Sequence, residues 1–402
     1  MAARENRFRF VSYKEDIKNK VVISLKSVNY LDDNEELDSY FSASVERWSS
    51  SNSSPEIAGF RSRIAQYSLS LKLVHLNQKL IVNELLSFLR STSALACTPF
   101  LDLVSSLCCD LREDFLPYLN DFLPEIFRLI STHSKNGDVL HPSFNCLSHM
   151  AYFLHRSLSR DVTNTLKMFS PVLKSTANHI AEFGAEILAF ILRKVCDRHD
   201  LLQSLLQVFG DNYSLIGILM SEVLCGSVGK LHTSAQEILP IMFDLACCTH
   251  KSSTSGIRKG IRTLLKGERR SEPPDQSSRK IEAKAVSAVL RETLGRLLGS
   301  LHAGEVTYVI GLLNSRLQRM DNSEELMEPF KEAVSILSVL ISCSPKEYAT
   351  STEVAIGTCF SKALSFSPTE EILTVFTKFL LESIQRYNPF DQIRLVCHIL
   401  LQ

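Results

Sequence analysis

Cys247-Cys248-Thr249-His250, with His141 and Cys146 earlier in the chain, carries the sulfur and imidazole groups that a zinc ion takes as ligands. A structural zinc site wants four of them in paired short spacings, and no CxxC or HxxxH pair occurs, so no metal is expected. Gly226-Ser227-Val228-Gly229-Lys230 has the residue types of a phosphate-cradling loop. Its glycines stand too close together for a GxxxxGK motif, and Leu231 follows the lysine where a hydroxyl belongs. No GxSxG elbow, HExxH helix or kinase signature is present, so neither catalytic residues nor a cofactor nor a small-molecule substrate is expected.

The strongest charge feature points at polyanions. Between residues 251 and 280, the cations Lys251, Arg258, Lys259, Arg262, Lys266, Arg269, Arg270, Arg279 and Lys280 outnumber Glu268, Glu272 and Asp275, a local net of +6 in a chain of formal net charge 0. Such a cluster neutralises phosphates and releases their counterions, giving sequence-independent, salt-sensitive contact with RNA or DNA. No aromatic residue interleaves these cations, so base stacking is not expected there. The same composition also suits a solvated linker, or a segment read by nuclear importers. The opposite sign gathers at Asp32, Asp33, Glu35, Glu36 and Asp38, ahead of Tyr40, Phe41, Val45 and Trp48. Acids there suit the positive end of a helix that buries the aromatics, more than they suit a metal.

Helices are the framework available to position these residues. With 45% hydrophobic residues, only 15 Gly and only 13 Pro in 402 positions, the chain has too few turns for an all-β protein. A single core of this length would have split into domains, whereas an array that grows in one dimension escapes the limit. The 11 cysteines are odd in number and lack framework spacing, and Met1 to Arg7 is charged at once rather than apolar, so reduced thiols in the cytosol or nucleus are expected. Cys97, Cys108, Cys146, Cys196, Cys225, Cys343 and Cys359 read as small apolar residues on helix faces, and Cys108-Cys109 as one thiol in the core and one at its edge. No apolar run approaches the ~20 residues of a membrane span, so no membrane partner is expected.

Helix starts recur. Ser367-Pro368-Thr369-Glu370 can cap a helix whose face is Ile372, Leu373, Phe376, Phe379 and Leu380. Thr98-Pro99 precedes Leu101, Val104, Leu107, Cys108 and Leu111; Ser170-Pro171 precedes Val172 and Leu173; Ser323-Glu324-Glu325 precedes Leu326, Phe330, Val334, Leu337 and Leu340. The pairs Leu116-Pro117, Leu123-Pro124 and Leu239-Pro240 read as joints of stacked helix hairpins. Ser49 to Pro55 and Ser134 to Asp138 read as loops, and His250 to Lys280 as the main interruption. The fold expected is all-α: a HEAT/armadillo-like helical-repeat solenoid, a right-handed superhelix of antiparallel helix pairs at about 40 residues each, roughly nine or ten in all. Residues 1–250 form one helical-repeat segment, 251–280 a basic flexible linker, and 281–402 continuing repeats that end within a helix at Asn388 to Gln402, as a cut array would.

Several segments together resemble the N-terminal region of a family of very large nucleolar proteins, the small-subunit processome components called "down-regulated in metastasis". They are Glu5 to Tyr13 with its aromatic-Arg-Phe element; Tyr40-Phe41 leading to Glu46-Arg47-Trp48; Pro99-Phe100-Leu101-Asp102-Leu103-Val104 followed by Asp110-Leu111-Arg112-Glu113-Asp114-Phe115; and Ala181 to Val195. The resemblance implies a non-catalytic HEAT-repeat scaffold in the nucleus and nucleolus. It would work among other processome proteins on the U3 snoRNP and the small-subunit rRNA precursor, supporting early rRNA processing and ribosome biogenesis. It supplies no site residues to carry over. The architecture alone also admits a nuclear transport or signalling adaptor, distinguished by nucleotide-sensitive binding to a small GTPase.

Overall fold

A computed structural model describes residues 39–52, 54–91, 97–226, 229–247, 283–319 and 327–343, with short helical pieces between 355 and 392. Among these residues every regular element is helical; an isolated antiparallel bridge joins Cys225 to Leu231. The helices are α1 (Tyr40–Ser51), α2 (Pro55–Ile64), α3 (Leu71–Leu76), α4 (Gln78–Ser91), α5 (Cys97–Leu111), α6 (Leu119–Thr132), α7 (Gly137–Leu158), α8 (Val162–Leu173), α9 (Asn178–Leu192), α10 (Arg198–Phe209), α11 (Tyr213–Leu224), α12 (Ala235–Ala246), α13 (Ala283–Ser300), α14 (Ala303–Gln318) and α15 (Met327–Cys343). A 3-10 segment, Arg112–Tyr118, links α5 to α6.

The chain forms two compact units, Met1–Cys196 and Asp197–Gln402. In the first unit α1, α5, α7 and α9 lie side by side as one layer, and α2, α4, α6 and α8 as a second, with α4/α5, α6/α7 and α8/α9 packed as pairs between them. The second unit repeats the plan, with α11, α13 and α15 in one layer and α10, α12 and α14 in the other. First helices of successive pairs start at Gln78, Leu119, Val162, Arg198 and Ala235, an interval near the ~40 residues of HEAT-type repeats. The all-α helical-repeat architecture read from the sequence is therefore what the chain adopts.

Local chemistry explains where helices begin. Short polar side chains take up free first-turn amides: Ser39 accepts from Ser42 N–H, Asp161 from Asn164, Asp197 from His199 and Asp200, and Asn212 from Leu215. Of the loop expected from Ser49 to Pro55, residues 49–51 belong to the last turn of α1 and Pro55 opens α2. The hydroxyls of Ser49, Ser50 and Ser51 bond back to carbonyls of their own helix at 2.7–2.8 Å, while Ser54 caps α2 and Pro55 opens it.

The prolines also correct the sequence reading. Ser170-Pro171 lies in the last turn of α8 rather than opening a helix. Proline cannot donate to the Lys167 carbonyl four residues back, and Ser170 Oγ donates to that carbonyl instead, at 3.0 Å. Pro117 does sit in the joint between α5 and α6, but Pro124 and Pro240 lie inside α6 and α12. Ser134 sits in a turn between α6 and α7, while Gly137 and Asp138 already belong to α7, capped by Asn136.

The core runs between the layers. Phe60 packs edge-on against Phe41, Phe88 and Phe100 at centroid separations of 6.5, 5.5 and 5.7 Å, tying α1, α2, α4 and α5 together. Leu101, Val104, Leu107 and Leu111 of α5 and Phe330, Val334, Leu337 and Leu340 of α15 are buried at the expected spacing. Cys108 is buried and Cys109 half-buried, as anticipated; Cys196, expected on an apolar face, is exposed and Cys225 half-buried. Burial pushes the Cys97 and Cys109 thiols up to about 11 and Cys146 to about 12, which keeps them protonated and unreactive.

Candidate interaction surface

Two of the segments that carry the family resemblance, Tyr40 to Trp48 and Pro99 to Phe115, meet in space at the α1–α5 contact. Asp110, buried on α5, faces the start of α1: its Oδ2 accepts from Ser39 Oγ at 2.6 Å and Phe41 N–H at 3.0 Å, and its Oδ1 from Tyr40 N–H at 3.0 Å. Burial raises the Asp110 pKa above its ordinary value, the three donors and His75 pulling the other way without prevailing. One turn further along, Ser44 and Ser106 hydroxyls bond at 2.7 Å. Two turns along, Trp48 Nε1–H donates to Asp102 at 2.8 Å, and Arg47 pairs with the same carboxylate. This polar seam fixes the register of the two helices.

On the other layer, Glu125 of α6 holds Arg90 of α4 at 2.7 Å and Arg128 of its own helix at 2.9 Å. Burial acts to raise the Glu125 pKa, but bonds from both guanidinium groups outweigh it and hold it below the ordinary carboxylate value. Arg128 borders a half-open cleft of about 360 Å³ between α6 and the α8–α9 turn, lined also by Phe127, Ser131, Ser134, Ser175 and Ile180. Arg128 is its ionisable lining residue, so the cleft offers no acid–base pair. Among the described residues no group of three or more His, Cys, Asp or Glu side chains could hold a metal, and no helix is long and apolar enough to cross a membrane.

A row of rings and cations lies on the layer of α5, α7 and α9. From α7 come His149, Tyr152, Phe153 and His155, all half-buried, with exposed Arg156. Phe190 of α9 stacks on Tyr152 at 6.2 Å and meets His155 edge-on at 5.8 Å; Tyr152 meets Phe153 at 5.4 Å, and His149 lies 6.4 Å from Phe153. Lys194 Nζ stands 6.0 Å from the Phe190 ring, and the Arg112 guanidinium 4.9 Å from Phe153. Arg112 reaches there from a left-handed backbone, φ 50°, a conformation that costs a non-glycine residue about 1 kcal/mol or more. Phe190 therefore belongs to the surface row, while Leu188 two residues earlier is fully buried.

The cations expected to contact nucleic acid, Arg258, Lys259, Arg262, Lys266, Arg269, Arg270, Arg279 and Lys280, lie outside the described residues, as do Asp32 to Asp38, Cys248 and His250. Gly226 N–H donates to Lys230 O at 2.7 Å, and Gly229 takes φ 72° against the His302 ring and accepts from His302 N–H at 2.8 Å, so the two glycines dock backbone rather than cradle phosphate; Ser227 and Val228 lie outside the described residues. Sequence reading missed the ring row because it sought runs of like charge. The available signal was the absence of any Asp or Glu from Val139 to Arg160, with His141, Asn145, His149, Tyr152 and Arg156 at helical spacing.

Comparison with known proteins bears out the resemblance. Over 247 residues, 59% of its length, the chain is 26% identical to U3 small nucleolar RNA-associated protein 20 of Saccharomyces cerevisiae. Over 254 residues, 60% of its length, it is 23% identical to the protein of the same name from Schizosaccharomyces pombe. The chain spans about 10% of the length of each. No family model matches. An engineered protein of solved structure aligns with 90% of this chain and 98% of its own at 13% identity, but its TM-score of 0.28 carries no argument.

Proposed function

We propose that this chain is a non-catalytic scaffold segment of the nucleolar small-subunit processome, supporting processing of the small-subunit rRNA precursor and ribosome biogenesis. The observation that carries this reading is the similarity, over about 60% of the chain, to two proteins named for association with the U3 small nucleolar RNA. Layered helix pairs suit the role. Each pair buries its apolar faces on its neighbours and leaves helix ends and outer faces as extended surface, so affinity is spread over many modest contacts. Its partners are other processome proteins and the pre-rRNA or U3 snoRNP, with the cations between residues 251 and 280 supplying phosphate contacts.

A tagged copy expressed in cells, localised by microscopy and recovered after RNA crosslinking, tests the proposal. Nucleolar signal with enrichment of small-subunit pre-rRNA is expected. A chain that crosslinks to no pre-rRNA, or that binds a small GTPase in a nucleotide-dependent way instead, overturns it.

A further inference from the structure

Helix α7 is 22 residues long, and its outward stripe is unlike an ordinary solvated helix face. Such faces mix both signs of charge. Here no carboxylate occurs between Val139 and Arg160, and the stripe carries His141, Asn145, His149, Tyr152, Phe153 and Arg156 instead. The neighbouring elements add exposed Arg112 from just past the end of α5, Phe190 from α9 and exposed Lys194 from just past its end, although the α9 stripe also carries exposed Glu182 and buried Glu186 two and one turns before Phe190. Glu113, beside Arg112 in sequence, accepts from Ser157 Oγ at 3.0 Å and lies 4.0 Å from Arg160, so it is itself countered by a cation.

We infer that this face binds a single strand of RNA. Half-buried rings with cations between them suit unstacked bases, which stack on aromatic or guanidinium planes while the phosphates pair with Arg112, Arg156 and Lys194. A duplex keeps its bases stacked on one another and cannot use the rings. An acidic protein segment could use the cations but has no need of a graded ring row. The inference rests on the processome reading for its biological setting, and it names the chemistry of one surface within that reading. It also separates two modes of contact in one chain: stacking on α7 and α9, and simple phosphate neutralisation between residues 251 and 280.

The test uses the full chain and a fluorescent single-stranded oligouridine of about 12 nucleotides, a length within the usual range for stacking grooves. The Arg156→Glu, Lys194→Glu double variant, which changes only exposed side chains, should bind at least tenfold more weakly. The slope of log Kd against log salt should fall by about 1.4, the value for two lost single-strand phosphate contacts. Phe190→Leu keeps an apolar side chain but loses the ring, and should weaken binding about five- to 150-fold. Replacing Arg258, Arg262, Arg269 and Arg270 by Gln should leave the preference for single strand over duplex intact.

Unchanged oligouridine affinity in the double variant, with an unshifted melting temperature, overturns the inference. So does equal affinity for duplex and single strand in the unmodified chain. If the chain fails here yet still recovers pre-rRNA in cells, this surface is wrong and the scaffold reading stands. If it binds oligouridine through α7 but recovers no pre-rRNA, the reverse holds.

Discussion

Two glycines in the second unit receive the same substitution with opposite expected signs. Gly217 sits in α11 where that helix meets α13, and a Cβ added there would lie 2.6 Å from Glu292 Cβ, 3.2 Å from the Glu292 carbonyl carbon and 3.3 Å from Thr293 N. Two of those three atoms are backbone, so no rotamer change relieves the contact and the helices must separate. Gly311 lies in α14, exposed, with nothing within 4 Å of its added Cβ. Alanine in a helix interior is worth about 0.8–1.0 kcal/mol over glycine. Overpacking costs roughly 1–3 kcal/mol, and a backbone contact belongs at the upper end. Gly311→Ala should therefore stabilise by up to about 1 kcal/mol, and Gly217→Ala should destabilise by about 1–2 kcal/mol after its propensity gain. For a unit of this size each kcal/mol moves the melting temperature by roughly 2–4 °C. Thermal unfolding followed by circular dichroism reads both shifts. If both variants shift in the same direction, the close α11–α13 approach is not what selects glycine at position 217.

Three further substitutions or labels address the first unit. Asp110 has a raised native pKa, so the folded chain binds its proton more tightly than the unfolded chain does. Stability of the natural protein relative to Asp110→Asn should thus fall as pH rises from the ordinary Asp value through the native one, then level off. Paired melting curves across that window measure it, and a pH-independent difference contradicts the assignment. Leu188→Ala should cost about 2–5 kcal/mol because Leu188 is 0% exposed, whereas Phe190→Ala, on the surface row, should cost less than half as much; equal losses would place Phe190 in the core instead. Under native conditions maleimide should label exposed Cys196 well before buried Cys108 and Cys146, as read by site-resolved mass spectrometry. Simultaneous labelling would mean that α5 and α7 open as readily as the surface.

What the sequence revealed and what it hid divide along physical lines. Buried faces were legible because a helix must place apolar residues every three or four positions, and Leu101 to Leu111 or Phe330 to Leu340 admit no other period. The role of serine and proline was less so, since the same residues satisfy amides at a helix start and carbonyls within the last turn. Ser170 illustrates this: beside Pro171 it looks like a cap, yet its hydroxyl replaces the bond that proline cannot donate. Asp102 and Asp110 lay inside segments already singled out, but pairing them with Trp48 and Ser39, and Ser106 with Ser44, needed the long-range contact of α1 with α5. The ring row was hidden for another reason. Its members come from three helices spread over about eighty residues, and each alone looks like a partly buried helix residue. Repeat stacking sets α5, α7 and α9 side by side, so a weak preference on each outer face sums to one surface. A repeat protein can therefore build a binding face without a sequence motif, and the missing carboxylates of α7 are the trace that such a face leaves in the chain.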